Sequence, residues 1–219
     1  MRTVALIDYG SGNLPSAEKA LRRAAERLGG AARVVATDDP ETIARAEHVV
    51  LPGVGAFAAC MRALRARPGV MEAMGEAVRA RGATFLGICV GMQLMASRGL
   101  EFGETAGLDW IEGEVRPLTP EMGSGARRAK VPHMGWNGLE AAAAAHPLFR
   151  GLDSGADVYF THSFALYPKS PRDVAAWSDH GGRLVAAVAR DNMAGVQFHP
   201  EKSQETGARL LANFLEWRP

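Results

Sequence analysis

A chain of 219 residues is long enough for one large domain with a substantial core. At 47% hydrophobic and 22% charged residues, with a formal net charge of +1, it has ordinary globular composition. That balance gives no global attraction to nucleic acid or to an anionic membrane. Two cysteines, Cys60 and Cys89, are too few for a disulfide framework and lack metal-ligand spacing, so a reducing cytoplasm is expected and neither metal nor cofactor. No apolar run approaches a membrane span, and "MRTVALIDYG" is shorter than a secretory signal core.

In chain order, "TVALIDY" predicts a short buried strand closed by the turn residues "GSGN". Ala17, Ala20, Leu21, Ala24, Ala25 and Leu28 form the stripe of an amphipathic helix that Gly29-Gly30 stops. "ARVVAT" is a second strand. Asp39 and Pro40 then open a short helix through Ala46, as cap and first helical residue. "HVVLPG" is a third strand, Phe57 to Arg81 holds one or two helices broken near Pro68-Gly69, and "TFLGIC" is a fourth strand. This alternation indicates βαβ units and a parallel sheet, whose burial on both faces explains strands that are apolar throughout.

The second half changes character. "WIEGEVRPL", "DVYFTHSFAL", "DVAAWSD", "RLVAAVAR" and "MAGVQFH" are short strand candidates, with a turn at Asp179-His180-Gly181-Gly182. They predict hairpins added to the parallel core. Ser203 is expected to cap a last helix with Leu210, Leu211, Phe214 and Trp217 on its core face. The alanine run at 141–145 is too short to interpret. With no repeat and no linker, residues 1–219 are expected to form one α/β domain.

Cys89 carries the chemistry. It ends an apolar strand in Gly87-Ile88-Cys89-Val90-Gly91, the G-x-nucleophile-x-G form of a nucleophile elbow. Glycines on either side permit a tight strand-to-helix turn, and a helix starting near Val90 aims its amides at the sulfur, favouring thiolate. The Val90 N–H also points toward an oxyanion formed on an attacked carbonyl. Cys60, in "FAACMRAL", reads as helix packing.

A cysteine nucleophile needs a base, and the base an orienting group. His48 and His180 read as surface or packing residues and His146 as a loop residue. His199 differs: "VQFHPE" places it at a strand end, with Glu201 two positions on to orient the imidazole. "LPGVGAF", Leu51 to Phe57, follows another apolar strand and frees backbone amides, in the place of a second oxyanion donor.

These blocks resemble those of class I (triad) glutamine amidotransferases over nearly the whole chain: "LGICVGMQLM" for the nucleophile, "LPGVGAF" for the oxyanion strand, "FHPE" for the histidine and glutamate. "DYGSGNLPSAEKAL", "VPHMGWN", "FTHSF" and "FHPEKSQ" further resemble the glutaminase subunits of imidazole glycerol phosphate synthases. The resemblance implies a flavodoxin-like three-layer α/β sandwich, its central sheet mostly parallel with added antiparallel strands. It implies Cys89 as nucleophile, His199 as base and Glu201 as orienting carboxylate. It places the backbone N–H groups of Val54 and Val90 at the oxyanion, and Gly55, Gln93, His162 and Ser163 around the glutamine. Phe164 stands where the family commonly has tyrosine.

A (β/α)₈ cyclase partner is also implied, one that uses the released ammonia to make imidazole glycerol phosphate. Lys130, His133, Trp136, Asn137 and Lys202 are candidates for contact with it or for signalling from it, set against ordinary loop and surface packing. A free-standing hydrolase of γ-glutamyl peptidase type, a binding-only scaffold, and a glutaminase serving another synthase remain the alternatives.

Overall fold

The computed structural model describes residues 1–30, 32–119, 129–141 and 146–219, so all but the first residue of the alanine run lies outside the described residues. The parallel half is built from β1 (Arg2–Ile7), α1 (Leu14–Arg27), β2 (Ala32–Thr37), α2 (Pro40–Arg45), β3 (His48–Gly53), α3 (Phe57–Arg65), α4 (Val70–Gly75) and β4 (Thr84–Cys89). α1 starts at Leu14 rather than Ala17, because Pro15 suits a first turn whose N–H groups have no helical partner. The Asp39 side chain accepts from the Thr42 N–H at 2.9 Å and so caps α2 as expected. Every residue of β3 and β4 is buried, as central parallel strands require.

The chain continues through α5 (Val90–Gln93), β5 (Ala96–Gly99), β6 (Thr105–Ala106), β7 (Ile111–Pro117), β8 (His133–Gly138), β9 (Glu140–Ala141), β10 (Asp157–His162), β11 (Phe164–Pro168), β12 (Val174–Asp179), β13 (Arg183–Arg190), β14 (Met193–Val196) and α6 (Gln204–Glu216). The main sheet runs β2-β1-β3-β4-β14-β13-β12-β9. Its first five strands are mutually parallel and the rest antiparallel. Helices pack around it, α1 against α6 and α2 against α4. A smaller sheet, β11-β7-β5-β6, and a two-stranded ribbon, β10-β8, complete the structure.

Three departures from the sequence pattern bear on the site. α5 is a single turn of four residues before the chain turns back into β5, so the elbow offers the sulfur nearby N–H groups and not a long macrodipole. "DVYFTHSFAL" is two strands in different sheets, parted at Ser163 where the Phe164 carbonyl bonds side chains instead of a neighbouring strand. "VPHMGWN" holds a strand, β8, rather than a loop: His133 is buried and Asn137 half-buried on one face, while Met134 and Trp136 face out on the other.

Ser203 stands at the N-cap of α6, but its hydroxyl does not cap. It donates to the His199 carbonyl at 2.6 Å and accepts from the Tyr159 N–H at 3.0 Å. The His199 N–H in turn donates to the Tyr159 carbonyl at 2.9 Å. The segment after β14 is thereby fastened to β10 through both peptide groups of Tyr159. The core side of α6 is as expected, with Leu210, Leu211, Phe214 and Trp217 buried.

Candidate active site

Cys89 ends β4 with φ 54° and ψ −110°, a left-handed backbone that a residue with a β-carbon rarely adopts. Close packing around it leaves no alternative to glycine on either side. A β-carbon on Gly87 would lie 2.6 Å from the Gly91 carbonyl oxygen, and one on Gly91 would lie 1.8 Å from the Leu51 carbonyl oxygen. The turn therefore holds the sulfur rigidly at the carboxyl ends of the parallel strands, where such sheets bind ligands.

β14 pairs with β4 in register Val196 to Ile88, so the residues that follow β14 emerge beside Cys89. His199 Nδ1 and Glu201 Oε1 are 2.7 Å apart, both side chains almost fully buried. Burial opposes a charged ring, but hydrogen bonding with Cys89 and Glu201 and their charges outweigh it, and the His199 pKa is raised to about 9. His199 Nε2 makes no hydrogen bond of ordinary geometry among the described residues. His199 and Cys89 line the same cleft.

The cleft encloses about 330 Å³ and is lined by Val54, Gly55, Cys89, Val90, Gln93, Glu101, Pro132, Thr161, His162, Ser163, Phe164, His199 and Lys202. It thus gathers the residues that the resemblance placed at the nucleophile, oxyanion and glutamine positions, except Glu201, which lies behind His199. A larger cleft between β5, β7 and β11 contains none of them.

Two of those residues are already engaged. Both amide hydrogens of Gln93 are used, donating to the Phe164 carbonyl at 2.9 Å and to Gln197 Oε1 at 3.0 Å, so only its oxygen is free for a ligand. His162 Nδ1 donates to the same carbonyl at 2.9 Å, and its Nε2 meets His133 Nδ1 at 3.0 Å. The backbone of 162–163, not the imidazole, is what this segment can offer a substrate.

His133 is buried and stacks on His180 with centroids 3.9 Å apart. Asn137 Nδ2 reaches His133 Nε2 at 3.2 Å and the Asp179 carbonyl at 2.6 Å. Both side chains thus face inward, unlike contact residues. Of the residues proposed for a partner, Lys130, Trp136 and Lys202 remain exposed, Lys202 with its ammonium 5.7 Å above the Tyr159 ring.

Burial, with the charges of neighbouring groups, holds the pKa of His133 down to about 3 and that of His162 and His48 down to about 4. His48 is no surface residue: it opens β3 fully buried, 2.6 Å from the Thr84 hydroxyl. Between their unfolded value near 6.5 and these folded values the unfolded chain binds protons that the folded chain refuses. Stability is therefore expected to be full above about pH 6.5 and to fall as pH drops toward 4, by up to about 1.4 kcal/mol per pH unit for each imidazole. Urea midpoints measured across that range check it, and His48→Gln is expected to flatten the slope.

Sequence reading missed four contributors. Gln197, hidden in an apolar run, donates to Cys89 Sγ at 3.7 Å. Glu101 enters the cleft from the end of β5 and accepts from the Phe57 N–H at 2.7 Å, capping α3 across the fold. Ser11 and Cys60 both donate to the Val54 carbonyl, at 3.0 and 3.3 Å. Cys60 is thus more than packing, and burial pushes its pKa up, keeping it a protonated donor. The spacing of Ser11 and Cys60 along the chain gives no local sign that they meet.

The model of the family "Glutamine amidotransferase class-I" matches residues 5–217. Among curated proteins, a relative from Caulobacter vibrioides named "Imidazole glycerol phosphate synthase subunit HisH" is 59% identical, covering 100% of both chains. One of the same name from Agrobacterium fabrum is 53% identical, covering 99% of each. Among solved structures, one titled "glutamine amidotransferase" superposes with a TM-score of 0.68 at 19% identity, covering 97% of each chain. The glutaminase domain of a Trypanosoma brucei protein titled CTPS, with bound acivicin, gives 0.66 at 13%, covering 100% of this chain and 96% of that one. At such identities these structures speak for the fold alone. Family match, full-length relatives and a strained cysteine elbow facing a histidine–glutamate pair agree: the chain belongs to the class I glutamine amidotransferases.

Proposed function

We propose that residues 1–219 act as a single cytoplasmic domain, the glutaminase subunit of an imidazole glycerol phosphate synthase. Cys89, on its left-handed elbow with the His199–Glu201 pair in the same cleft, is the observation that carries this reading. The Cys89 thiolate adds to the side-chain carbonyl carbon of glutamine, and the Val54 and Val90 N–H groups receive the oxyanion. When the intermediate collapses, the carbon–nitrogen bond breaks and the His199 imidazolium gives its proton to the departing nitrogen, a proton it keeps up to about pH 9. Neutral His199 then takes a proton from water as it adds to the thioester. The carbon–sulfur bond breaks, and glutamate leaves with the thiolate restored. Glu201 holds the ring in the tautomer that presents Nε2 to the sulfur and stabilises its charged form.

Glu101 brings a carboxylate to the cleft wall and suits the α-ammonium of the amino acid. Glu101→Gln, which keeps an oxygen to cap α3, is expected to raise KM for glutamine by about tenfold with a much smaller change in kcat. Steady-state glutaminase assays separate the two.

The ammonia passes to a (β/α)₈ cyclase subunit that makes imidazole glycerol phosphate and an aminoimidazole carboxamide ribotide. Exposed Val54, Val131, Met134 and Trp136 lie on or beside the cleft rim, an apolar surface suited to a protein partner. The test is to mix the purified chain with its cognate cyclase and to follow glutamate and imidazole product together. The lone chain is expected to turn over glutamine slowly and the complex to form both products in equal amounts. Rapid turnover by the lone chain, unchanged by the cyclase, would instead identify a free-standing hydrolase.

A further inference from the structure

Gln197 is fully buried one residue beyond β14, and the mechanism above gives it no task. Its amide orientation follows from a chain of obligate partners. The Phe164 carbonyl can only accept, so Gln93 must turn its nitrogen toward it. The second hydrogen of that nitrogen then points at Gln197, which must answer with Oε1. That leaves Gln197 Nε2 aimed at the sulfur of Cys89, 3.7 Å away. Turned the other way, the amide would press its own N–H groups against the Gln93 N–H and its oxygen against a sulfur anion.

We propose that Gln197 is a catalytic residue that donates a hydrogen bond to the Cys89 thiolate, with Gln93 as the positioning residue that fixes its amide. The inference rests on Cys89 being the nucleophile. A buried N–H held toward sulfur stabilises the anion more than the neutral thiol, because only the anion repays the donor in full for water it lacks. The same bond restrains the sulfur while His199 works on the substrate side. It also gives Gln93 a second duty, since a ligand that pulls on its free oxygen strains the bond to Gln197.

Two measurements test this. In the native chain, the Gln197 side-chain amide followed by ¹H–¹⁵N NMR is expected to shift with pH as Cys89 ionises, a response that Cys89→Ala removes. Gln197→Met, similar in length but without a donor, is expected to slow alkylation of Cys89 by iodoacetamide about tenfold at neutral pH. The difference should close at alkaline pH, where the thiol ionises unaided, which a merely structural defect would not do. An amide signal indifferent to Cys89 overturns the proposal, whether or not the variant folds. So does a folded Gln197→Met with the alkylation profile of the native chain. Either result leaves the glutaminase reading intact, because that reading falls only if Cys89→Ala still hydrolyses glutamine.

Discussion

Cys89→Ser is expected to lower glutamine hydrolysis by about 10³-fold or more while leaving folding and glutamine binding close to native. Serine fits the elbow, since the left-handed backbone is set by Gly87 and Gly91 packing and not by the sulfur. Its hydroxyl is not ionised near neutral pH, so its proton must be removed during attack, and the variant also lacks the sulfur whose hydrogen bond and charge help to raise the His199 pKa. The loss should fall on kcat, because the groups that meet the substrate are untouched. Supplied with ammonium salt, the variant mixed with the cyclase proposed as its partner should still support imidazole formation. Persistent glutaminase activity would mean that another group attacks the amide.

Gly91→Ala is expected to be as damaging, and for a reason that involves no chemistry. Its new methyl group would enter the Leu51 carbonyl oxygen at 1.8 Å, between two backbones that flexible side chains cannot relieve. Either β3 or the elbow must move, and overpacking of backbone against backbone costs about 3 kcal/mol or more. Urea unfolding should show that loss and alkylation of Cys89 should change with it. Gly75→Ala is the control. It lies in α4 with ordinary helical angles and nothing within 4 Å of the added carbon, so it should be neutral or stabilising by up to about 1 kcal/mol.

The parallel core and the cysteine elbow were legible because their signals are local. Runs such as "HVVLPG" must be apolar on both faces, and the spacing of Gly87, Cys89 and Gly91 states a backbone requirement outright. His199 and Glu201 were legible together because a single residue, Pro200, separates them at a strand end. β8 was not legible, since two glycines, an asparagine and a preceding proline disfavour a strand and outweigh the single tryptophan; pairing with β10 makes them one. The division at Ser163 likewise depends on partners remote in sequence, β8 for the strand before it and β7 for the strand after it. Ser203 was misread for a related reason. Its position matches a cap, but a distant strand offered its hydroxyl a better partner. Gln197, Glu101, Ser11 and Cys60 escaped because their roles lie in contacts with residues remote in sequence.

The fastening of Tyr159 has a mechanical consequence. Its N–H is held by Ser203 and its carbonyl by the His199 backbone, while Trp136 lies opposite it in the ribbon. The ribbon therefore works as a rocker arm: its outer side carries the exposed tryptophan and its inner side is pinned at the root of the imidazole. A load applied to Trp136 would bear on Tyr159, the residue to which the backbone of His199 is tied directly and through the Ser203 hydroxyl.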